Sequence, residues 1–279
     1  MDGSRAAAVV PVVKRARGFR LYDQQGRRYL DLYRDDGGAL LGHRSGSTVT
    51  LMKSVLSQGL AGALPSVWEA RLLAMIAAMF PAHRTVRLYS SRSRALEAVS
   101  CFEGMRVEPS DIYDPAIHAQ PRGQPRASLW RPFLPDGASP PAAHSALLPV
   151  LPLTVCEAPA PVCFPEGPLV GLSDSDHLPG FVLAGAFTAL AQLRAARANP
   201  FEAPAAVQKA IDASRGWART GPYVRATFSP DEYPRVHGEF LRAGVLLCPR
   251  YPGPSILPGE CSPGEARLLA KLFTSIPGG

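Results

Sequence analysis

Fourteen of the 29 prolines in this chain fall between residues 109 and 168. Proline lacks an amide hydrogen and its ring clashes with the preceding turn of a helix, so this stretch cannot be mostly helical. Across 105–180 the apolar pattern also breaks down. One strand candidate stands out there, Leu147–Cys156, and Pro149 and Pro152 demote it to an edge or irregular strand. The regular elements must therefore come mainly from the flanks.

On the N-terminal side, residues 18–33 read as a β-hairpin. Phe19, Leu21 and Tyr29 alternate with polar neighbours, and Asp23-Gln-Gln-Gly26 has the type I turn pattern, Asp first and Gly fourth. A glycine-rich loop follows at Asp36-Gly37-Gly38, then Leu41-Gly42-His43. Helical spacing marks 49–61, through Val49, Met52, Val55, Leu56 and Leu60. Ser66-Val-Trp-Glu69 has the form of a capping box, with the serine accepting from the N3 amide, ahead of an apolar face that Pro81 ends. Val86–Tyr89 reads as a strand and Ser91–Glu103 as a helix.

On the C-terminal side, 181–198 and 203–215 read as helices, and Tyr223–Phe228 as a strand. Ser229-Pro-Asp-Glu232 is a capping signature for a helix reaching about residue 243, with Gly244 as its stop. Val245–Cys248 reads as a strand, and Ser262-Pro-Gly-Glu265 caps a last helix through Phe273.

Composition narrows the chemistry. Of 30 basic residues 26 are Arg, and the four lysines are Lys14, Lys53, Lys209 and Lys271, so 54–208 holds none. At 279 residues, 46 % hydrophobic and 19 % charged, the chain is globular, with room for one or two domains. No apolar run reaches the ~20 residues that span a bilayer, and the start, MDGSRAAAVVPVVKRARG, reads as mature sequence rather than a signal peptide. Five cysteines stand far apart without a CxxC, which fits a reducing cytoplasm. The net charge of +7 is spread along the chain, and no aromatic or basic stripe accompanies it, so nucleic acid is an unlikely partner. No P-loop, GxGxxG or nucleophile elbow occurs.

The order of these parts resembles the class III aminotransferases, fold-type I enzymes dependent on pyridoxal phosphate (PLP), and most of all their glutamate-1-semialdehyde aminomutase branch. Four segments carry the resemblance: Gly18–Asp31 with Leu41-Gly42-His43; Val86-Arg-Leu-Tyr-Ser-Ser91; the Ala/Gly-rich helix at 181–198; and Phe240–Pro249 followed by Ser262-Pro-Gly-Glu265. Together they cover about 150 residues. The resemblance implies an α/β fold: a shortened fold-type I transferase with an eroded central sheet domain and a small α+β domain built from both chain ends. It places the small domain at 1–48 and 201–279 and the reduced large domain at 49–200.

The departures bear on function. The family's Schiff-base lysine precedes the helix matching 181–198, and no lysine lies there; chain order excludes Lys53 and Lys209. The family's Asp partner of the pyridinium nitrogen has no counterpart in 147–172, where Val155-Cys-Glu-Ala-Pro159 is at most an echo of its strand. In the turn matching the phosphate turn, Ser90-Ser-Arg-Ser-Arg94, Arg92 stands for Gly and Arg94 for Glu. Ser91, Arg92 and Ser93 are thus the candidate remnant of a cofactor site, set against an ordinary solvated helix start.

Elsewhere, Asp174-Ser-Asp-His177 is the one tight acidic/His group and lacks further metal ligands, so a solvated loop is expected. Cys156 and Cys163 are expected to be buried structural thiols. His43 is expected to make a structural hydrogen bond at a turn between small and large domains. No catalytic or metal-binding residue is assigned. The favoured reading is a pseudoenzyme without cofactor that acts by association, as a homodimer or beside a related aminotransferase. One alternative is an anion-binding module contacting its ligand through Arg92 and Arg94. The other is an active PLP enzyme with a displaced lysine.

Overall fold

The computed structural model describes residues 10–43, 46–120, 123, 125–135, 145–155, 158–165, 171–196 and 203–275. The N-terminal elements are β1 (Val13–Arg17), β2 (Arg20–Asp23), β3 (Arg28–Asp31), α1 (Gly46–Ser57), α2 (Val67–Met79), β4 (Thr85–Tyr89) and α3 (Arg92–Glu103). The proline-rich middle follows with β5 (Ile112–Tyr113), β6 (Ala127–Trp130), β7 (Ala146–Pro149) and β8 (Ala160–Phe164). The remainder comprises α4 (Gly180–Ala196), α5 (Ala205–Asp212), β9 (Trp217–Thr220), β10 (Tyr223–Ala226), α6 (Tyr233–Arg242), β11 (Val245–Leu246), β12 (Ser255–Ile256) and α7 (Pro263–Ser275).

Contacts divide the chain into two units. One holds the described residues of Met1–Arg44, Phe133–Pro135 and Ala196–Gly279; the other holds those of Ser45–Pro132 and Asp136–Ala195.

In the first unit, β2 and β3 form the hairpin expected at 18–33, with Leu21 opposite Tyr29. The Gly26 amide donates to the Asp23 carbonyl at 3.2 Å, and Gly26 adopts the φ of +81° that suits glycine. A strand not expected from sequence, β1, pairs along β2. On the other side β11 joins β3 in parallel, Val245 beside Leu30, so residues more than 200 apart share one sheet. A second sheet orders β12-β10-β9. The core centres on Trp217, which meets the rings of Phe228, Phe240 and Phe273 at 5.1–5.6 Å, all four buried.

Arg20 on β2 donates from Nε and Nη2 to both oxygens of Glu265 on α7, at 2.8 and 2.6 Å. The bidentate contact with Arg20 holds the Glu265 carboxyl well below its ordinary range, at about 2, against the opposing effect of burial. Glu265 is also the distal member of the capping box. Its Oε2 accepts from the Ser262 amide at 2.7 Å, and its amide donates to the Ser262 hydroxyl at 3.2 Å. The Ser229–Glu232 pair makes the same reciprocal contacts, yet the helix they precede begins only at Tyr233.

Asp31, almost fully buried, organises the loop after β3. It accepts from the amides of Tyr33 and Arg34 and lies 2.7 Å from His43 Nε2. His43 therefore does make a structural hydrogen bond. Gly42 runs at φ +90°, and a Cβ there would stand 3.1 Å from the Gly18 carbonyl oxygen, so glycine lets the two backbones close.

The second unit is built on a sheet ordered β4-β8-β7-β6-β5. Strands β5, β6 and β7 are parallel, while β8 is antiparallel to both β7 and β4. Four of these strands, β5 to β8, come from the stretch where the pattern breaks down, and β5, β6 and β8 were not expected there. Nor is the 147–156 strand an edge: β7 lies inside the sheet, between β8 and β6. Pro149 is its last residue, so the missing donor spares the middle of the ladder. Helix α3 packs against this sheet through Ala95, Ala98 and Val99. Burial pushes the thiol of Cys163, on β8, far above its ordinary range, as befits a structural cysteine; Cys156 lies outside the described residues.

At the start of α2, Ser66 is the N-cap residue, but its hydroxyl makes no capping bond and is buried without a partner. The capping box expected there from Ser66 and Glu69 is not formed; the Glu69 amide bonds the Ser66 carbonyl instead.

A candidate functional site at the turn after β4

Strand β4 ends at Tyr89, and two residues later α3 begins, with Ser91 as its N-cap in an extended conformation. The Ser91 hydroxyl accepts from the Arg94 amide at 3.2 Å. Ser91, Arg92, Ser93 and Arg94 are all exposed. The candidate residues Ser91, Arg92 and Ser93 thus lie at an exposed helix N-terminus that also carries Arg94.

A carboxylate already sits at this turn. Asp176 Oδ2 accepts from the Ser90 amide at 2.9 Å and from the Ser90 hydroxyl at 2.7 Å, and Asp176 Oδ1 accepts from Arg94 Nη2 at 3.2 Å. Arg94 Nη1 donates to Glu97 at 2.7 Å. Burial works to raise the Asp176 carboxyl, but the Ser90 amide and hydroxyl and the Arg94 guanidinium outweigh it and hold it below the usual carboxylate range.

The segment Asp174-Ser-Asp-His177 is a loop with Asp174 and His177 exposed, as expected, but Asp176 within it is held against the turn after β4. β4 is the outermost strand of its sheet, and this segment runs along its open side. The Tyr89 hydroxyl donates to the Ser173 carbonyl, the Leu88 amide to the Ser175 hydroxyl, and the Asp176 amide to the Leu88 carbonyl at 2.8 Å. The two Leu88 bonds satisfy edge backbone groups that would otherwise face water or another strand. The Asp174 side chain is 97 % exposed, whereas the Asp176 side chain, 19 % exposed, is turned in against the turn.

Sequence reasoning also missed an ion pair at the carboxyl ends of the parallel strands, where open α/β sheets hold their ligands. Asp114 follows β5 and Arg131 follows β6, and both are buried. Arg131 Nε and Nη2 donate to the two Asp114 oxygens at 2.8 and 2.7 Å. The only advance signal was a charged residue directly after an apolar run, which is too common to single out.

All four lysines lie on described elements: Lys14 on β1, Lys53 on α1, Lys209 on α5 and Lys271 on α7. Each is exposed. PLP held as in fold-type I enzymes needs a sheltered lysine amine to bond its carbonyl and open donors for its phosphate. Here all four lysine amines are exposed, and beside the turn the Ser90 donors and the Arg94 guanidinium already bond Asp176. Of the Val155–Pro159 segment, Cys156 and Glu157 lie outside the described residues. Among the described residues no group of three His, Cys, Asp or Glu could hold a metal ion, and no helix is long and apolar enough to cross a membrane.

Comparison with known proteins places the architecture. No protein-family model matches the chain. An uncharacterized protein of Treponema pallidum is 27 % identical over 272 residues, 88 % of each chain. The glutamate-1-semialdehyde 2,1-aminomutase of Syntrophus aciditrophicus is 32 % identical over 93 residues, which span 33 % of this chain and 22 % of that enzyme. In three dimensions, a glutamate-1-semialdehyde aminomutase from Pseudomonas aeruginosa superposes with a TM-score of 0.64 at 14 % identity, covering 95 % of this chain and 87 % of that one. The chain therefore has the α/β fold of the class III, fold-type I aminotransferases, in a shortened and divergent form.

Proposed function

We propose that this protein has lost PLP catalysis and works through protein association, as a pseudoenzyme on the class III aminotransferase fold. The observation that carries this reading is the exposure of every lysine, together with the absence of any lysine between 54 and 208. A lysine that forms an internal aldimine and moves protons at a substrate carbon works where water is excluded. The association half is supported by large apolar side chains left exposed along one stretch: Leu56 near the end of α1, Leu64 in the connection, and Val67 at the start of α2. The partner is a second copy of the chain or a related aminotransferase, in the cytoplasm.

The test is incubation with PLP, followed by absorbance, borohydride reduction and peptide mass analysis. No aldimine band and no reduced lysine adduct are expected. An adduct at one defined lysine would overturn the loss of catalysis. Light scattering reads the association: a dimer is expected, and a strict monomer that also fails to bind a related aminotransferase would overturn it.

A further inference from the structure

We propose that Asp176 is a built-in anion that occupies the turn matching the family's phosphate site and closes it to phosphate monoesters. This inference rests on the reading of the chain as a non-catalytic relative and adds what became of the anion site.

Three features carry it. First, the donors that flank the candidate turn are taken. The Ser90 amide, the Ser90 hydroxyl and the Arg94 guanidinium, on either side of Ser91-Arg92-Ser93, already bond Asp176 at 2.7–3.2 Å, so a phosphate at that turn would meet a carboxylate in place of these neighbouring donors. Arg94 stands where the family has Glu, so the turn has gained a cation and a carboxylate to meet it.

Second, the carboxylate is held in place by its backbone. Residues 173–176 are fastened along β4 by three bonds, at the Ser173 carbonyl, the Ser175 hydroxyl and the Asp176 amide, and Asp174 points to solvent. The competing anion is therefore tethered, and a free phosphate must displace a group at high effective concentration.

Third, a phosphate brought beside an ionised Asp176 would add roughly −1.5 to −2 charges next to an existing negative one. The same short range that strengthens the Arg94 contact makes that repulsion costly.

The experiment titrates inorganic phosphate, and separately PLP, into the full chain at pH 7 and into the Asp176→Ala and Asp176→Ala/Arg94→Ala variants, read by calorimetry and by the Ser90 amide resonance. The wild type is expected to show no saturable response. Asp176→Ala should bind phosphate more tightly by on the order of tenfold or more, and the added Arg94→Ala should abolish that gain. Saturable phosphate binding by the wild type, or an Asp176→Ala variant that gains nothing, overturns the proposal. If Asp176→Ala fails to fold, the wild type decides alone. Its Ser90 amide and Asp176 carboxyl resonances must stay fixed as phosphate is added, and a saturable shift overturns the idea. A borohydride-trapped lysine adduct would overturn the proposed function alone. Phosphate bound by unmodified wild type would overturn this closure alone.

Discussion

Arg20 and Glu265, 245 residues apart, meet through two charge-assisted hydrogen bonds that join the N-terminal hairpin to the start of the last helix. The same carboxylate completes the cap of that helix, so one side chain fixes both the sheet contact and the helix start.

The acid stability of the protein should depend on this carboxylate. Its titration is displaced from 4.5 to about 2, mainly by the hydrogen bonds from Arg20. A depressed carboxyl stabilises the fold fully above its unfolded value, and the contribution is lost as pH falls from about 4.5 towards 2. Glu265→Gln should therefore be less stable than wild type at pH 7, with the difference shrinking through that window. Urea denaturation at a series of pH values checks this, and a constant difference across the window would contradict it.

Two serines at helix starts should behave in opposite ways. Ser91 caps α3 through the Arg94 amide, so Ser91→Ala should cost about 1 kcal/mol. The Ser66 hydroxyl makes no cap and is buried without a partner, so Ser66→Ala should be neutral or slightly stabilising. Thermal denaturation of the two variants side by side decides it.

The Asp114–Arg131 pair should be costly to break from one side. Arg131→Met leaves a buried carboxylate without its bidentate partner, for an expected loss of about 3–5 kcal/mol. Replacing both, as Arg131→Met/Asp114→Leu, should recover much of that loss, because no uncompensated charge remains. The double-mutant cycle measures the coupling directly.

Legibility from sequence followed the range of the interaction. The hairpin at 18–33 was readable because Asp23 and Gly26 state their turn within four residues. The cap at Ser262 was readable for the same reason. The Ser66 cap failed because its hydroxyl is buried away from the amide, which no local pattern reports. The sheet strands β5, β6 and β8 were hidden among prolines. They are two to five residues long and, in β6 and β8, buried almost throughout, so they show no alternation.

By itself, then, the sequence determined the local elements, the resemblance of the chain's two flanks to an aminotransferase small domain, and the absence of lysine where an internal aldimine would need one. Each follows from residues within a few positions of one another, or from simple presence and absence. Only the tertiary structure decided that the proline-rich middle supplies four strands of a five-stranded sheet, that Arg131 pairs with Asp114, and that Asp176, within its loop, bonds the turn after β4. Strand pairing across about 75 residues and a hydrogen bond across 86 depend on which surfaces pack together. A short polar segment such as 174–177 carries no mark of the strand edge it will cover.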